Sequence, residues 1–208
     1  MMYRRVIRNL RRAYDLKVDE RDQSEVASWK KQERQAFLER LHAEGARTLL
    51  EIGAGPGVHG KFFQEKGFEV VCTDLSPAMI ARCREKGLPA YVMDFLNLDF
   101  PPGSFDSVFA MNCLLHVPKE DLPRVLGVIH EILKPGGLFY LGQYGGEEYA
   151  GTLTEDHYRP KRFYSFLTDE SIQQMCTALF ERLSFKSVSL PGEDEQHFQS
   201  LILQRKNR

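Results

Sequence analysis

The stretch LLEIGAGPGVHG, residues 49–60, places four glycines within eight residues directly after an apolar run. Such a run is typical of a buried strand, and the glycines after it predict a turn that opens a helix. Glycine lets the backbone approach a ligand because no Cβ stands in the way. A plain turn would explain one glycine but poorly explains Gly53, Gly55 and Gly57 together, so the stretch predicts a ligand-binding turn of the nucleotide type.

The composition is that of a globular protein. The 208 residues are 42% hydrophobic and 27% charged, enough for one domain with a sizeable core. No apolar stretch approaches the roughly 20 residues that a bilayer requires, and the N-terminus lacks the continuous apolar segment of a secretory signal. The four cysteines form no CxxC pair. We therefore expect reduced thiols, a cytoplasmic location and no metal site.

A cluster of arginines near the N-terminus departs from the net charge of −1. A helix would place most of them on one face, and such a face can touch an RNA backbone or an acidic lipid surface. A solvated, frayed terminal helix is the commoner cause. We accordingly expect neither a nucleic-acid nor a membrane partner, and the oligomeric state is left open. The cluster consists of Arg4, Arg5, Arg8, Arg11 and Arg12.

Apolar runs alternate with amphipathic stretches along the rest of the chain. The apolar spacing from Leu122 to Leu133 predicts a helix that stops at Pro135. The pattern predicts an α/β, Rossmann-like, doubly wound and mostly parallel seven-stranded sheet with helices on both faces. The short link PGEDEQ makes a C-terminal hairpin, so the last strand is antiparallel. The predicted strands are 48–52, 69–73, 90–93, 107–112, 138–144, 184–190 and 197–204.

We expect a single domain over residues 1–208. Residues 1–44 form an N-terminal helical cap, with a helical composition over 23–43, and the part around Trp29 is expected to close over the ligand. The polar, aromatic-rich segment 145–166 has no clear period. It is the best candidate for a lid over the second substrate, with a plain surface loop as the alternative.

The residues around the glycine turn disfavour a phosphate-bearing ligand. The dinucleotide pattern GxGxxG needs glycine where Val58 stands, and Val58-His59 does not match a P-loop. A Glu51 carboxylate 6 Å from a phosphate charge would repel it by roughly 3 kcal/mol. Asp74 ends the second strand, where an acid accepts from ribose hydroxyls. The pocket therefore suits a ribonucleoside with a cationic group, although Glu51 could simply brace the loop and Asp74 could cap a helix.

Several motifs together resemble the class I S-adenosylmethionine-dependent methyltransferases. Residues 51–57 (EIGAGPG) are similar to the glycine turn of that family, and 73–80 (TDLSPAMI) to its ribose segment. Residues 94–117 are similar to its adenine segment and fourth strand, and 133–141 to its turn into strand five. The resemblance covers about Thr48 to Tyr144. It implies S-adenosyl-L-methionine as cofactor and methyl transfer by in-line displacement to a small-molecule acceptor.

The resemblance also implies which residues contact the cofactor. The glycine turn would present its backbone to the methionine portion, and Glu51 would hold the ammonium group directly or through water. Asp74 would accept from the ribose, while Leu75 and Met79 would flank the adenine. Core packing is the alternative for Met79 and Phe95. The full set is Glu51, Gly53, Ala54, Gly55, Gly57, Asp74, Leu75, Met79, Asp94, Phe95 and Asn112.

The acceptor is expected beyond strands four and five. Asn112-Cys113-Leu114-Leu115 lacks the [DNS]PP[YFW] motif of base-nitrogen methylases, and Cys113 has no preceding proline. Both departures disfavour a nucleic-acid base, and 114–118 (LLHVP) resembles the small-molecule branch. His116 is the candidate general base or acceptor-orienting residue, with bracing of the loop as the alternative. Further acceptor contacts are expected from Gln143, Tyr144, Arg162 and Tyr164.

Three other functions stay open. An NAD-dependent oxidoreductase could use a similar sheet, but Val58 and Glu51 count against it. A non-catalytic binding protein could keep the cofactor fold, although no motif is broken. An RNA or protein methyltransferase could use the basic N-terminus.

Overall fold

A central sheet of seven strands organises the chain, in a computed structural model that describes residues 2–190 and 196–206. The strands are β1 (Thr48–Ile52), β2 (Glu69–Asp74), β3 (Ala90–Val92), β4 (Phe105–Met111), β5 (Leu133–Gly145), β8 (Phe180–Ser189) and β9 (His197–Arg205). Their order is β3-β2-β1-β4-β5-β9-β8. The pairings among β1 to β5 are parallel, and β9 runs antiparallel to both β5 and β8. The predicted seven-stranded sheet with an antiparallel last strand is confirmed, while hairpin residues 191–195 lie outside the described ranges.

Helices cover both faces of this sheet, as predicted. One face carries the apolar cluster around Phe37, Phe63 and Tyr140, and the other carries the cluster around Phe139 and Phe180. The helices are α1 (Met2–Asp15), α2 (Val18–Gln23), α3 (Ser28–Ala43), α4 (Val58–Glu65), α5 (Pro77–Glu85), α6 (Leu122–Ile132) and α7 (Asp169–Thr177). None of them within the described ranges is long and apolar enough to cross a bilayer.

The helix boundaries follow local signals with three corrections. Ser76 caps α5 by accepting the Met79 N–H at 3.1 Å, as its position before Pro77 predicts. However, α6 ends at Ile132 rather than at Pro135. The backbone before Pro135 is already extended, and Leu133 pairs with Phe105. The other corrections are that α3 begins only at Ser28, and that the strand predicted from residue 184 begins already at Phe180, directly after α7 and its turn.

The N-terminal helix is docked on the domain rather than frayed. Tyr3, Val6, Leu10 and Ala13 of α1 are buried, and the first three join the core cluster that α6 and α7 build. The five arginines of the helix, by contrast, are all exposed. The expectation of a frayed terminal helix was therefore wrong, because the apolar spacing on the opposite side gives the helix a buried face.

The segment 145–166 contains a short two-stranded antiparallel ribbon that the sequence did not predict. It consists of β6 (Tyr149–Gly151) and β7 (Tyr164–Phe166). Phe166 and Tyr164 form a small apolar cluster with Leu115, which follows β4. The ribbon is thereby held beside the carboxyl ends of β4 and β5.

Candidate functional site

A crevice opens where the strand order reverses, between β1 and β4. Ligands of open α/β sheets bind beyond the carboxyl ends of the strands at this position. Six of the eleven predicted cofactor contacts line it. Its lining residues are Leu10, Tyr14, Arg21, Gly53, Gly55, Asp74, Leu75, Phe95, Met111, Asn112, Cys113 and His116.

Two glycines of the turn serve different purposes. Gly53 has φ +60°, and a Cβ added to it would lie 2.4 Å from Cβ of Cys113. Gly55 has φ +55°, but a Cβ there would have no atom within 4 Å. Gly53 thus permits close packing of the turn against the residue after β4. Gly55 leaves its backbone open to the crevice, where a ligand can approach it.

Asp74 braces the turn while it lines the crevice. Its Oδ2 accepts from the Gly55 N–H at 2.8 Å, and its Oδ1 accepts from the Ser76 N–H at 2.8 Å. Burial raises the pKa of Asp74, and these hydrogen bonds oppose the rise. Each carboxylate oxygen has more than one acceptor position. Asp74 thus braces the turn, whereas the cap of α5 is Ser76 and not Asp74, and each carboxylate oxygen retains an acceptor position.

Asn112 combines a left-handed backbone with a buried side-chain oxygen that is unpaired within the described ranges. It follows β4 with φ +55°, and its N–H donates to the Gly142 carbonyl at 2.7 Å. Its side-chain Oδ1 is buried and has no hydrogen-bond partner among the described residues. A left-handed non-glycine backbone and an unpaired buried acceptor each cost free energy, and such features concentrate at ligand sites.

Replacing Asn112 by glycine tests this interpretation. Glycine removes the left-handed strain and the unpaired oxygen, so Asn112→Gly should leave the free energy of unfolding unchanged or raise it by about 1 kcal/mol. We expect the same variant to bind S-adenosylhomocysteine at least about tenfold more weakly in calorimetry. A loss of stability with unchanged affinity would show that Asn112 only shapes the turn.

Glu51 does not line the crevice. Its carboxyl is buried beneath α4, where it receives the Gly60 N–H and lies 3.6 Å from Cys72 Sγ. Burial raises its pKa to about 8. The carboxyl is thus mostly protonated at neutral pH. The expected charge repulsion between Glu51 and a phosphate loses its support, because Glu51 does not line the crevice and burial favours its neutral form.

Four other predicted cofactor contacts also lie away from the crevice lining. Met79 is fully buried, and Ala54 packs in the core beneath the turn. A Cβ on Gly57 would meet Leu88 at 2.8 Å and Cys83 at 2.9 Å, so this glycine packs against these two side chains and not against the crevice. The Asp94 carboxylate accepts from the Leu96 N–H and from the Asn97 side chain. For Met79 the structure favours the core-packing alternative.

His116 joins three parts of the chain. Its Nδ1 lies 2.6 Å from the Phe163 carbonyl oxygen, which can only accept, so Nδ1 carries the proton. Its Nε2 therefore accepts from the Tyr14 hydroxyl at 2.7 Å. Burial lowers the pKa of His116 to about 4. With both nitrogens engaged and so low a pKa, this geometry favours the bracing alternative, while catalysis by His116 stays a prediction.

None of the four predicted acceptor contacts lines the crevice, and three of them pack or bond elsewhere. Arg162 donates to Asp156 at 2.8 Å and stacks at 3.6 Å on the Tyr158 ring, so it is not available to an acidic acceptor. Tyr164 packs against His116 with ring centroids 5.0 Å apart. Gln143 is buried, and its Oε1 has no partner among the described residues. Tyr144 packs against Trp29, which was expected to lie over the ligand.

Five lining residues escaped the sequence analysis. Leu10 and Tyr14 belong to the inward side of α1, and the apolar spacing from Tyr3 onward could have revealed them. Arg21 lies in α2, and nothing in its local sequence indicates a contact with the crevice. Met111 and Cys113 flank Asn112 and could have been inferred from the end of β4.

A family comparison agrees with this geometry. Residues 49–137, from β1 to the start of β5, match the profile of a methyltransferase domain. Over this part, the chain is similar to proteins of the methyltransferase domain family. The resemblance seen in the sequence is confirmed, and the NAD-dependent oxidoreductase alternative loses its support.

Proteins similar to this chain include N-methyltransferases of small amino acids. A glycine/sarcosine N-methyltransferase of Parasynechococcus marenigrum is 36% identical over 115 residues, which are 50% of this chain and 40% of that one. A glycine/sarcosine/dimethylglycine N-methyltransferase of Actinopolyspora halophila is 30% identical over 132 residues, 57% of this chain and 23% of that one. The chain thus spans less than half the length of these curated relatives.

A solved structure shares the fold of this chain. The Burkholderia thailandensis 1,6-didemethyltoxoflavin-N1-methyltransferase, with 1,6-didemethyltoxoflavin and S-adenosylhomocysteine bound, superposes with a TM-score of 0.74. The match covers 99% of this chain and 90% of that chain at 20% identity. It confirms the predicted Rossmann-like α/β architecture.

Proposed function

We propose that the protein is an enzyme that transfers the methyl group of S-adenosylmethionine to a small-molecule acceptor by in-line displacement. The observation that carries this proposal is that six residues of the cofactor motifs line one crevice at the reversal of strand order. The names of the curated relatives support an acceptor of this size, since glycine and sarcosine are small molecules.

The residues that line the crevice suit the cofactor. The free space beside the Gly55 Cα lets the methionine portion approach, and the unpaired Oδ1 of Asn112 suits the ammonium group, which brings hydrogen-bond donors. The remaining acceptor positions of Asp74 suit the ribose hydroxyls, and Phe95 and Leu75 offer apolar flanks to the base. The cofactor supplies a methyl group on a positively charged sulfur.

The chain's own part in the transfer is alignment and exclusion of water. Displacement at a methyl group needs no protein nucleophile, but it does need the acceptor held in line with the breaking bond. Burial raises the pKa of the Cys113 thiol, so this thiol is not an activated nucleophile. Removal of water favours the transition state because positive charge on sulfur disappears.

We propose that residues 145–166 cover the acceptor side and that residues 1–44 cover the cofactor from the other side. His116 bonds to Tyr14 of α1 and to Phe163 of the insertion, so it connects both segments at the edge of the crevice. Arg162 of the insertion also donates to the Tyr14 hydroxyl at 3.4 Å. The two segments are therefore expected to close together, with His116 as a positioning residue between them.

A thermal-shift comparison tests the proposal. We expect S-adenosylhomocysteine to raise the melting temperature and NAD to leave it unchanged.

Asp74→Ala should weaken the affinity for S-adenosylhomocysteine by about 1–3 kcal/mol, because it removes ribose contacts and the hydrogen bond that braces Gly55. Asp99→Ala, at an exposed position, is the matched control. Stabilisation by NAD alone, or equal affinities of the two variants, would contradict the assignment.

The acceptor is best sought by following labelled methyl from the cofactor into a pool of metabolites. The second candidate, methylation of RNA or protein, draws on the exposed arginines of α1. Labelling of RNA or protein in place of metabolites would favour that candidate.

A further inference from the structure

The outer face of α1 concentrates positive charge. At 3.6 residues per turn, its five arginines fall within about 120° of the helix circumference, and the buried residues are centred about 180° away. The arginines span about 12 Å along the helix axis. We call this surface the arginine face; it consists of Arg4, Arg5, Arg8, Arg11 and Arg12.

No acidic side chain of the described residues neutralises the arginine face. None of its five side chains forms an ion pair or a side-chain hydrogen bond there. The nearby acids contact α5 instead: Asp15 accepts from the Ser76 hydroxyl at 2.5 Å, and Asp19 pairs with Arg82 at 2.5 Å. These contacts fix the helix, so the charges are held in one outward array.

We propose that the arginine face docks on an anionic lipid surface. Charge complementarity calls for a polyanion, and two observations favour lipid over nucleic acid. Leu16 is 66% exposed, and its N–H bonds to the Arg12 carbonyl, which places it on the arginine side at the helix end. The aromatic residues of α1 are turned away, since Tyr3 is buried and Tyr14 lines the crevice, so none is offered for base stacking.

Docking of this face has a consequence for the crevice. The same helix presents arginines outward and Leu10 and Tyr14 inward to the crevice lining. A lipid surface bound outside would therefore hold the inner side of the helix in place over the site. Clusters of basic residues bind acidic membranes with an attraction that salt screens, so the association should be reversible.

Vesicle sedimentation of the full chain tests the proposal. We expect binding to phosphatidylcholine vesicles that contain phosphatidylserine, little binding to pure phosphatidylcholine, and loss of binding at high salt. The triple variant Arg4→Gln, Arg8→Gln, Arg11→Gln should bind about 100-fold more weakly. The variant with lysine at the same three positions should bind like the wild type, which separates charge from folding.

A matched control removes three exposed charges elsewhere, with Lys31→Gln, Lys66→Gln and Arg124→Gln. It should retain vesicle binding, and all variants should bind S-adenosylhomocysteine alike without vesicles. Equal losses in the two glutamine triples, or no wild-type binding to acidic vesicles, would overturn the proposal. Binding to single-stranded RNA but not to vesicles would do the same and assign the face to nucleic acid.

Discussion

Gly53→Ala is expected to lower the free energy of unfolding by about 2–4 kcal/mol. A methyl at this position would meet Cβ of Cys113 at 2.4 Å and its Sγ at 3.0 Å, so the turn or β4 must shift. The left-handed backbone at φ +60° adds about 1–2 kcal/mol for an L-residue. Urea unfolding without ligand measures the loss. The same shift should abolish measurable binding of S-adenosylhomocysteine, because it displaces the binding turn.

Alanine variants of two other glycines distinguish the cost of a left-handed backbone from the cost of a steric clash. Gly87 has φ +76° and Gly55 has φ +55°, but a Cβ on either would have no atom within 4 Å. We expect Gly87→Ala to cost only the strain, about 1 kcal/mol, with unchanged ligand affinity. Gly55→Ala should cost the same stability but weaken binding, because its methyl enters the crevice. If Gly53→Ala were no worse than Gly87→Ala, the close packing against Cys113 would be refuted.

Stability should peak near pH 6.5 and fall on both sides. Burial raises the pKa of Glu51 to about 8 and lowers that of His116 to about 4 and that of His59 to about 3. Each of these groups favours its neutral form in the folded protein. In the unfolded chain they titrate near about 4.5 for Glu and 6.5 for His.

The sign of each contribution follows from proton counting. As pH falls below 6.5, the unfolded chain binds protons that folded His116 and His59 refuse, so each lowers stability by about 1.4 kcal/mol per pH unit. Between pH 4.5 and 8 the folded state keeps the proton of Glu51 that the unfolded state releases. Glu51 therefore offsets one histidine on the acid side and alone lowers stability from pH 6.5 to 8, by about 2 kcal/mol.

Single variants show which residue causes the loss of stability above pH 6.5 (the alkaline limb) and below it (the acid limb). Glu51→Gln keeps a neutral acceptor for the Gly60 N–H, so it should flatten the alkaline limb and steepen the acid one. His116→Gln should make the acid limb shallower, although it also lowers stability at every pH by weakening the Tyr14 and Phe163 contacts. Chemical unfolding at a series of pH values gives the slopes. An alkaline limb that persists in Glu51→Gln would rule out this origin.

The features that local chemistry determines were predictable from the sequence. Apolar runs and glycines gave the strands and the binding turn, and Ser76 before Pro77 gave the start of α5. Motif positions alone brought Asp74 and Asn112 to one crevice. The predictions of the strands and of the start of α5 are confirmed because each depends on a residue and its near neighbours in the chain.

The features that could not be predicted from the sequence are contacts between residues that lie far apart in the chain. Arg162 is engaged by Asp156 and by Tyr14, which lies 148 residues away in the chain. The protonation of Glu51 depends on how completely α4 and the sheet exclude water from it. The placement of α1 over the crevice likewise depends on packing against α5, α6 and α7.

The position of β9 in the sheet bears on how the protein is made. Residues 197–205 pair with β5 on one side and with β8 on the other, although both partners precede them in the chain. During synthesis, one edge of β5 therefore has no partner strand until residues 197–205 emerge from the ribosome. An uncovered edge of this kind invites pairing with other nascent chains, so conditions that slow translation before residue 197 should favour aggregation.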